Sequence, residues 1–349
     1  MTSKFSENIL KWYEVHGRKN LPWKVNDPYK IWISEIMLQQ TQVSTVIPYY
    51  KKFIKKYPNL ESLSKANYDD LMLLWSGLGY YRRIKNIFLA SKIISERFHN
   101  QFPKNYDDII ALPGIGRTTA SAISTFSGFS NRAILDGNVK RILRRFFDLS
   151  PDVNTINEKK LWIKSESVTP IKSTSEFIQG LMDIGSSICT RNNPKCYICP
   201  LQKLNCLYKP KKLNILNSKK INMNITLYLV IIINSENMIH LKKIISGKLW
   251  LDLYAGPLFE SEEDMINWKK ENINKLEPNH NFQIIHKVTN KNLIFKSFVY
   301  HLKNDKSISL SSKNWYNLAN INVGMPKFME KVLSKYKLEY ENSYVQKTQ

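Results

Sequence analysis

The chain has 349 residues, 43% apolar and 12% aromatic, enough for a large buried core and long enough for two domains. Its net charge of +23 points to a polyanionic partner, and the charge is uneven: residues 221–349 carry 17 Lys and no Arg against 12 Asp plus Glu, a net of +5 that leaves +18 to residues 1–220. No stretch nears the roughly 18 uninterrupted apolar residues of a membrane span, and residues 1–8 lack a secretory apolar region, so a cytoplasmic protein off the membrane is expected. Enrichment in Lys, Asn and Ile also follows from genomic drift toward A and T, so charge alone leaves nucleic-acid binding and drift both open. Pro, Gly and Asn punctuation predicts helices near 5–16, 28–42, 45–57, 68–75, 81–98, 106–111, 117–127, 138–147, 155–168 and 174–187. Asp27-Pro28 is a start signal, an N-cap followed by proline at the first helical position. Residues 209–220 are basic and poor in apolar side chains, a linker by composition. Beyond it, 227–233 and 295–302 are strand-like, while 260–272 and 326–335 look helical. The expected organisation is a mainly α domain over 1–210, a linker at 211–220, and a smaller α+β domain over 221–349.

In chain order, the first chemical candidate is Glu35, inside Ile31-Trp32-Ile33-Ser34-Glu35-Ile36-Met37-Leu38. Apolar surroundings raise a carboxyl pKa and suit a general acid near neutral pH; a glutamate that reaches water or Ser34 is the plain alternative. Gln39-Gln40-Thr41-Gln42 follows with amides able to bond base edges. Gly77-Leu78-Gly79-Tyr80-Tyr81-Arg82-Arg83 offers a flexible turn, two rings for stacking on bases and two cations for phosphate. Leu112-Pro113-Gly114-Ile115-Gly116 joins two short helices. Its glycines allow a tight turn whose N–H groups face outward at a helix start, an anion site for a DNA phosphate, often with a bound monovalent cation. Glycine used only for packing is the alternative, and the helix-turn-helix setting favours a helix-hairpin-helix DNA module. Some twenty residues on, Asp136 stands where an apolar segment becomes a basic helix. Capping explains it by itself, while a phosphate anchored at Gly114 and Gly116 would bring a sugar to the same carboxylate. All four cysteines, Cys189, Cys196, Cys199 and Cys206, lie within 18 residues, with gaps of six, two and six. Four thiolates in one loop can wrap one zinc or one iron-sulfur centre; the opening gap is too long for a zinc ribbon, so a structural iron-sulfur centre is expected.

Taken together, Leu21-Pro22-Trp23, the run from Ser34 to Val43, Gly77 to Tyr81, Leu112 to Gly116, Leu135 to Arg141 and the cysteine loop resemble the MutY family of adenine DNA glycosylases. The likeness covers essentially the whole chain, since residues 247–257 and Trp315-Tyr316-Asn317-Leu318-Ala319 are similar to that family's Nudix-like C-terminal domain. The resemblance implies a mainly α helix-hairpin-helix glycosylase fold with an iron-sulfur loop, plus a smaller α+β Nudix-like domain. It implies one 4Fe-4S cluster on Cys189, Cys196, Cys199 and Cys206, a monovalent cation at the hairpin, and a monomer acting on double-stranded DNA. The substrate would be adenine opposite 8-oxoguanine or guanine, flipped from the duplex. Glu35 would protonate adenine N7, Asp136 would stabilise or capture the sugar cation, and Asn138 would orient Asp136 or the sugar. Gln40 and Tyr80 match positions that wedge into the stack, and Lys24, Thr41, Gly114, Gly116, Thr118, Thr289 and Asn290 complete the DNA-facing set. Bifunctional relatives of the endonuclease III type carry a lysine where this chain has Thr118, so a monofunctional enzyme is expected, with Lys140 the one adventitious Schiff-base candidate.

Three departures stand out. The last cysteine gap is six where the family has five, an insertion that a loop absorbs. Lys24 replaces a common arginine, losing a bidentate contact but keeping the charge. Where the family reads 8-oxoguanine with Phe-Ser-His, this chain has Val288-Thr289-Asn290, which keeps a hydroxyl and loses the aromatic ring and imidazole. A Nudix nucleotide hydrolase is a rival reading, but the acidic stretch 260–264 lacks the glutamate spacing of its metal helix. A catalytically silent DNA-binding protein is the other; both carboxylates, however, remain in place.

Overall fold

Helix boundaries follow local chemistry through the first half of the chain. The elements are α1 (Thr2–His16), α2 (Pro28–Leu38), α3 (Val43–Lys56), α4 (Leu60–Ser64), α5 (Tyr68–Trp75), α6 (Arg82–Phe98), α7 (Tyr106–Ile110), α8 (Arg117–Phe126), α9 (Gly137–Phe146), α10 (Thr155–Val168) and α11 (Thr174–Ser187). This is a computed structural model, and it describes residues 2–149, 155–208, 223–247, 249–273, 276–288, 291–302 and 310–341. The stretch read as a linker, 211–220, and the pair Thr289 and Asn290 lie outside the described residues. Among the described residues no helix is long and apolar enough to cross a membrane.

Asp27 starts α2 as expected, its Oδ1 accepting from the N–H of Tyr29 at 3.0 Å and of Lys30 at 3.3 Å. The helix expected to reach residue 42 ends at Leu38. The Arg83 guanidinium takes the carbonyls of Ile36 (3.0 Å), Met37 (2.7 Å) and Gln39 (2.7 Å), and Gln40 adopts a left-handed φ of 56°. That cap comes from a distant arginine, so no local residue announces it. It also corrects the expectation that Arg83 reaches phosphate, because this side chain is only 6% exposed.

The chain divides into two units, one of Met1–Ala66 with Arg82–Asn214 and the other of Asn67–Tyr81 with Ile215–Gln349. In the first, Phe5 and Ile9 of α1, Val139, Ile142, Leu143 and Phe146 of α9, and Phe177, Ile178, Leu181 and Ile184 of α11 share one core. Leu135 and Val139 belong to that core and lie on either side of Asp136, which fixes where its carboxylate emerges.

In the second unit the strands are β1 (Met223–Ile233), β2 (Met238–His240), β3 (Lys242–Lys243), β4 (Tyr254–Ala255), β5 (Leu258–Phe259), β6 (His280–Val288), β7 (Lys291–His301) and β8 (Trp315–Asn317), with helices α12 (Glu262–Asn272) and α13 (Lys327–Tyr336). The main sheet has the order β6-β7-β1-β2-β8, with β5 also paired to β1. Among the described residues only β1 and β7 run parallel, from Met223 opposite Lys291 to Ile233 opposite His301. The apolar run in β1 alternates between two cores: Leu227, Leu229, Ile231 and Ile233 pack with α13, whereas Val230 and Ile232 pack with Met265 of α12. The sheet is thus covered on both faces, which explains a strand that is apolar without interruption.

Candidate active site

Glu35 sits on α2 among Trp32, Ile33, Ser34, Ile36 and Met37, all buried. Ser34 Oγ donates to the Ile31 carbonyl at 2.7 Å, which spends the hydroxyl that could have served Glu35. Burial, and secondarily the negative charge of Asp136, push the Glu35 carboxyl up to about 8. At neutral pH it therefore holds a proton.

Asp136 is the N-cap of α9. Its Oδ1 accepts from the Val139 N–H at 2.7 Å and its Oδ2 from Asn138 Nδ2 at 3.1 Å. Burial raises its pKa too, but the Val139 and Asn138 donors and the Arg141 charge oppose that rise. Two carboxylates share a field, and only Asp136 has donors that favour its charged form. The proton therefore rests on Glu35. Asn138 is held in turn, its Oδ1 accepting from Arg141 Nη2 at 2.8 Å, while Arg141 Nε donates to the Cys189 carbonyl at 2.7 Å and Nη2 to that of Gly185 at 2.5 Å. A Cβ on Gly185 would lie 2.5 Å from Asn138 Cβ, so glycine there is what lets α11 approach α9.

The hairpin joins these parts. Gly114 has φ +79°, and a Cβ on it would strike the Asn86 side chain at 2.6 Å, whereas one on Gly116 would meet open space. No side chain caps α8, whose first turn opens beside Gly116. Thr118 Oγ1 donates to the Leu135 carbonyl at 3.3 Å, and Gln39 Nε2 donates to Thr119 Oγ1 at 3.3 Å. One turn of α8 thereby touches both the end of the Glu35 helix and the residue before Asp136. Arg83, expected to meet phosphate, instead caps α2, while the positioning roles of Arg141, Thr119 and Gly185 escape sequence reasoning; the i, i+3 spacing of Asn138 and Arg141 is the one local signal that could have found any of them.

Other expected residues scatter. Thr41 Oγ1 is turned back to the Gln39 carbonyl at 3.3 Å, and Lys24 Nζ is bonded to the Tyr13 hydroxyl. Gln40 is exposed and left-handed, and in the second unit Tyr80 is left-handed at φ 50° and 57% exposed. Lys140 Nζ pairs with Glu158 at 2.6 Å. It also lines, with Arg141, Arg144, Arg145 and Arg191, a hollow of about 520 Å³ whose walls are strongly cationic.

The cysteines follow α11 in a loop wound by bonds from the Cys199 N–H to the Cys196 carbonyl (3.1 Å) and from the Gln202 N–H to the Cys199 carbonyl (3.1 Å). None is in a disulfide, and Cys189, Cys199 and Cys206 pack on the helical core. Arg145 Nη1 donates to Cys189 Sγ at 3.3 Å, and each of Cys196, Cys199 and Cys206 feels the Cys189 thiol. Among the described residues, however, no three His, Cys, Asp or Glu side chains are gathered tightly enough to hold a metal ion.

Comparison with known proteins agrees with this geometry. Residues 33–165 match the model of the HhH-GPD superfamily base excision DNA repair protein. The adenine DNA glycosylase of Buchnera aphidicola subsp. Schizaphis graminum (strain Sg) is 43% identical over 343 residues, covering 95% of this chain and 99% of its own. Among solved structures, a thermostable thymine-DNA glycosylase superposes with TM-score 0.54 at 29% identity over 58% of this chain and 94% of its own. A non-covalent endonuclease III–DNA complex superposes with TM-score 0.50 at 20% identity over 57% of this chain and 91% of its own. With a partly buried glutamate pushed up to about 8, a capped aspartate whose charge acts on it and a glycine hairpin, and with that identity along nearly its full length, the chain belongs to the adenine DNA glycosylase family, hydrolases of N-glycosyl bonds in base excision repair.

Proposed function

We propose that this enzyme excises adenine opposite 8-oxoguanine or guanine in double-stranded DNA and, lacking a nucleophilic amine at Thr118, leaves an abasic site without cutting the strand. The observation that carries the reading is the split between the two carboxyls, Glu35 pushed up to about 8 and Asp136 held by donors. With adenine flipped out of the stack, Glu35 gives its proton to N7. The C1′–N9 bond breaks with its electron pair going to the base. Asp136 faces the cationic sugar, stabilising it or closing on C1′, and Asn138 keeps the carboxylate aimed. Glu35, now ionised, takes a proton from the water that adds at C1′.

The hairpin N–H groups at Gly114 and Gly116 would hold a phosphate with a monovalent cation, and Gln40, Thr41 and Tyr80 would lie along the opened stack. Lys24 would bring a positive charge to the DNA-facing surface. The mixed sheet would serve as a Nudix-like reader, with Thr289 and Asn290, which follow β6 in the sequence, as its lesion-contacting residues. Cys189, Cys196, Cys199 and Cys206 suit a resident 4Fe-4S cluster by donor type and spacing. Four protein thiolates leave such a cluster no open position, so it would brace the loop against α9 and α11.

Single-turnover reaction of duplexes with adenine opposite 8-oxoguanine or guanine, read with and without alkali, tests the proposal. Breaks only after alkali, faster with the oxidised base, are expected. Breaks without alkali would overturn the monofunctional reading, and equal rates would overturn lesion sensing by Thr289 and Asn290.

A further inference from the structure

The chain leaves its first unit after Ala66 and re-enters it at Arg82, and the fifteen residues between belong to the C-terminal unit. Their anchors are specific. Asp69 Oδ1 takes Lys243 Nζ at 2.5 Å and its Oδ2 takes the Tyr254 hydroxyl at 3.3 Å, and Lys243 and Tyr254 face each other across the β3–β4 ladder. The Tyr68 hydroxyl donates to Asp252 Oδ2 at 3.2 Å, and Ser76 Oγ donates to the Met325 carbonyl at 2.7 Å. A Cβ on Gly324 would come within 2.9 Å of the Met72 carbonyl, so α5 lies directly against that glycine, whose own carbonyl accepts from the Tyr254 N–H at 2.9 Å.

From α5 the order continues into the turn that presents Tyr80. Trp75, fully buried, donates through Nε1 to the Gly79 carbonyl at 3.1 Å, and the Gly77 N–H donates to the Tyr81 hydroxyl oxygen at 3.2 Å. Gly77 and Gly79 supply left-handed turns at φ 88° and 77°, and Tyr80 follows at φ 50°. A left-handed tyrosine is strained unless its surroundings fix it, and here they do so from the C-terminal side.

We propose that Asp69 and Ser76 are positioning residues for Tyr80, holding its turn as part of the C-terminal unit, so that the ring beside the mispair and the β6–β7 hairpin are carried by one body. This rests on the reading above that Tyr80 enters the stack. Adenine excision would then depend on the C-terminal unit through the wedge as well as through lesion contacts.

The test uses the full chain and the charge pair. Asp69→Lys and Lys243→Asp are each expected to speed amide exchange at residues 77–81 of the DNA-free protein on the order of fivefold, and the double exchange to restore it. Ser76→Ala is the milder companion if a reversal fails to fold. Fluorescence of 2-aminopurine placed next to the mispair, in a Glu35→Gln background that keeps the substrate intact, is expected to move in both single variants and recover in the double. Exchange unchanged at 77–81, or faster only together with the whole protein, overturns the proposal; so does 2-aminopurine that responds to Tyr80→Ala and ignores the anchors. If Tyr80→Ala itself leaves that signal untouched while the exchange result holds, the reading of Tyr80 in the stack falls and the anchor stands.

Discussion

Glu35 and Asp136 differ in their donors more than in their burial. Val139, Asn138 and Arg141 all favour the ionised aspartate, whereas no described residue donates to Glu35, whose proton is kept by burial. Glu35→Gln is expected to lower the single-turnover excision rate by about 10²–10⁴-fold, the usual range for loss of a general acid. In the unaltered enzyme the rate should decline as pH rises through about 8, where the acid deprotonates; a rate flat from pH 6 to 9 would exclude Glu35 as the proton donor. Gly185 offers a subtler check. Its Cβ would displace Asn138 without touching Asp136, so Gly185→Ala should slow excision on the order of tenfold or more while the Asp136 cap on Val139 keeps α9 folded. Circular dichroism beside the kinetics separates that outcome from unfolding.

At the scale of elements, the helical half was largely legible because its signals are local: Asp27-Pro28 starts α2, Asn67 caps α5, Asn105 caps α7 and Asp136 caps α9. Where a tertiary partner ends or fixes an element, the sequence is mute. The overlong reading of α2 was wrong because Arg83, more than forty residues on, caps it. β6 went unread because as an edge strand it buries little on either face. Arg83→Met is expected to cost on the order of 2–3 kcal/mol in urea unfolding, since it strips buried carbonyls of a charged donor. The salt dependence of DNA binding should stay unchanged, which a phosphate-binding arginine would not allow. The hairpin makes a matched pair of expectations. Gly114→Ala meets both a positive φ and the Asn86 side chain, and should destabilise by about 1–3 kcal/mol. Gly116→Ala meets open space and should leave the melting temperature nearly unchanged, yet weaken DNA binding severalfold if a phosphate closes on that turn.

For the whole molecule, the two units carry titrating groups that pull stability in opposite directions. His240 is fully buried, neither ring nitrogen has a partner among the described residues, and burial pushes its pKa down to about 4 from 6.5. Its neutral form is the folded form, so stability is complete above pH 6.5 and declines as pH falls toward 4, where the unfolded chain binds the proton first. His301, pushed to about 4 by burial and by His280, adds in the same sense. Glu35 runs the other way: its folded pKa of about 8 lies above the unfolded 4.5, so stability declines as pH rises from 4.5 to 8. Between pH 4.5 and 6.5 the two trends oppose each other, and the stability optimum should lie there. Glu35 belongs to the first unit and the two histidines to the second, and their effects are expected to add. Glu35→Gln should therefore raise the melting temperature at pH 8 and do little at pH 4.5. His240→Met should recover at pH 4.5 on the order of 3 kcal/mol that the unaltered chain loses, with little gain at pH 8. Thermal melts of both variants and their combination at the two pH values decide the matter: a histidine variant that gains equally at pH 4.5 and pH 8 would mean that packing, and not proton uptake, sets the acid limit of this fold.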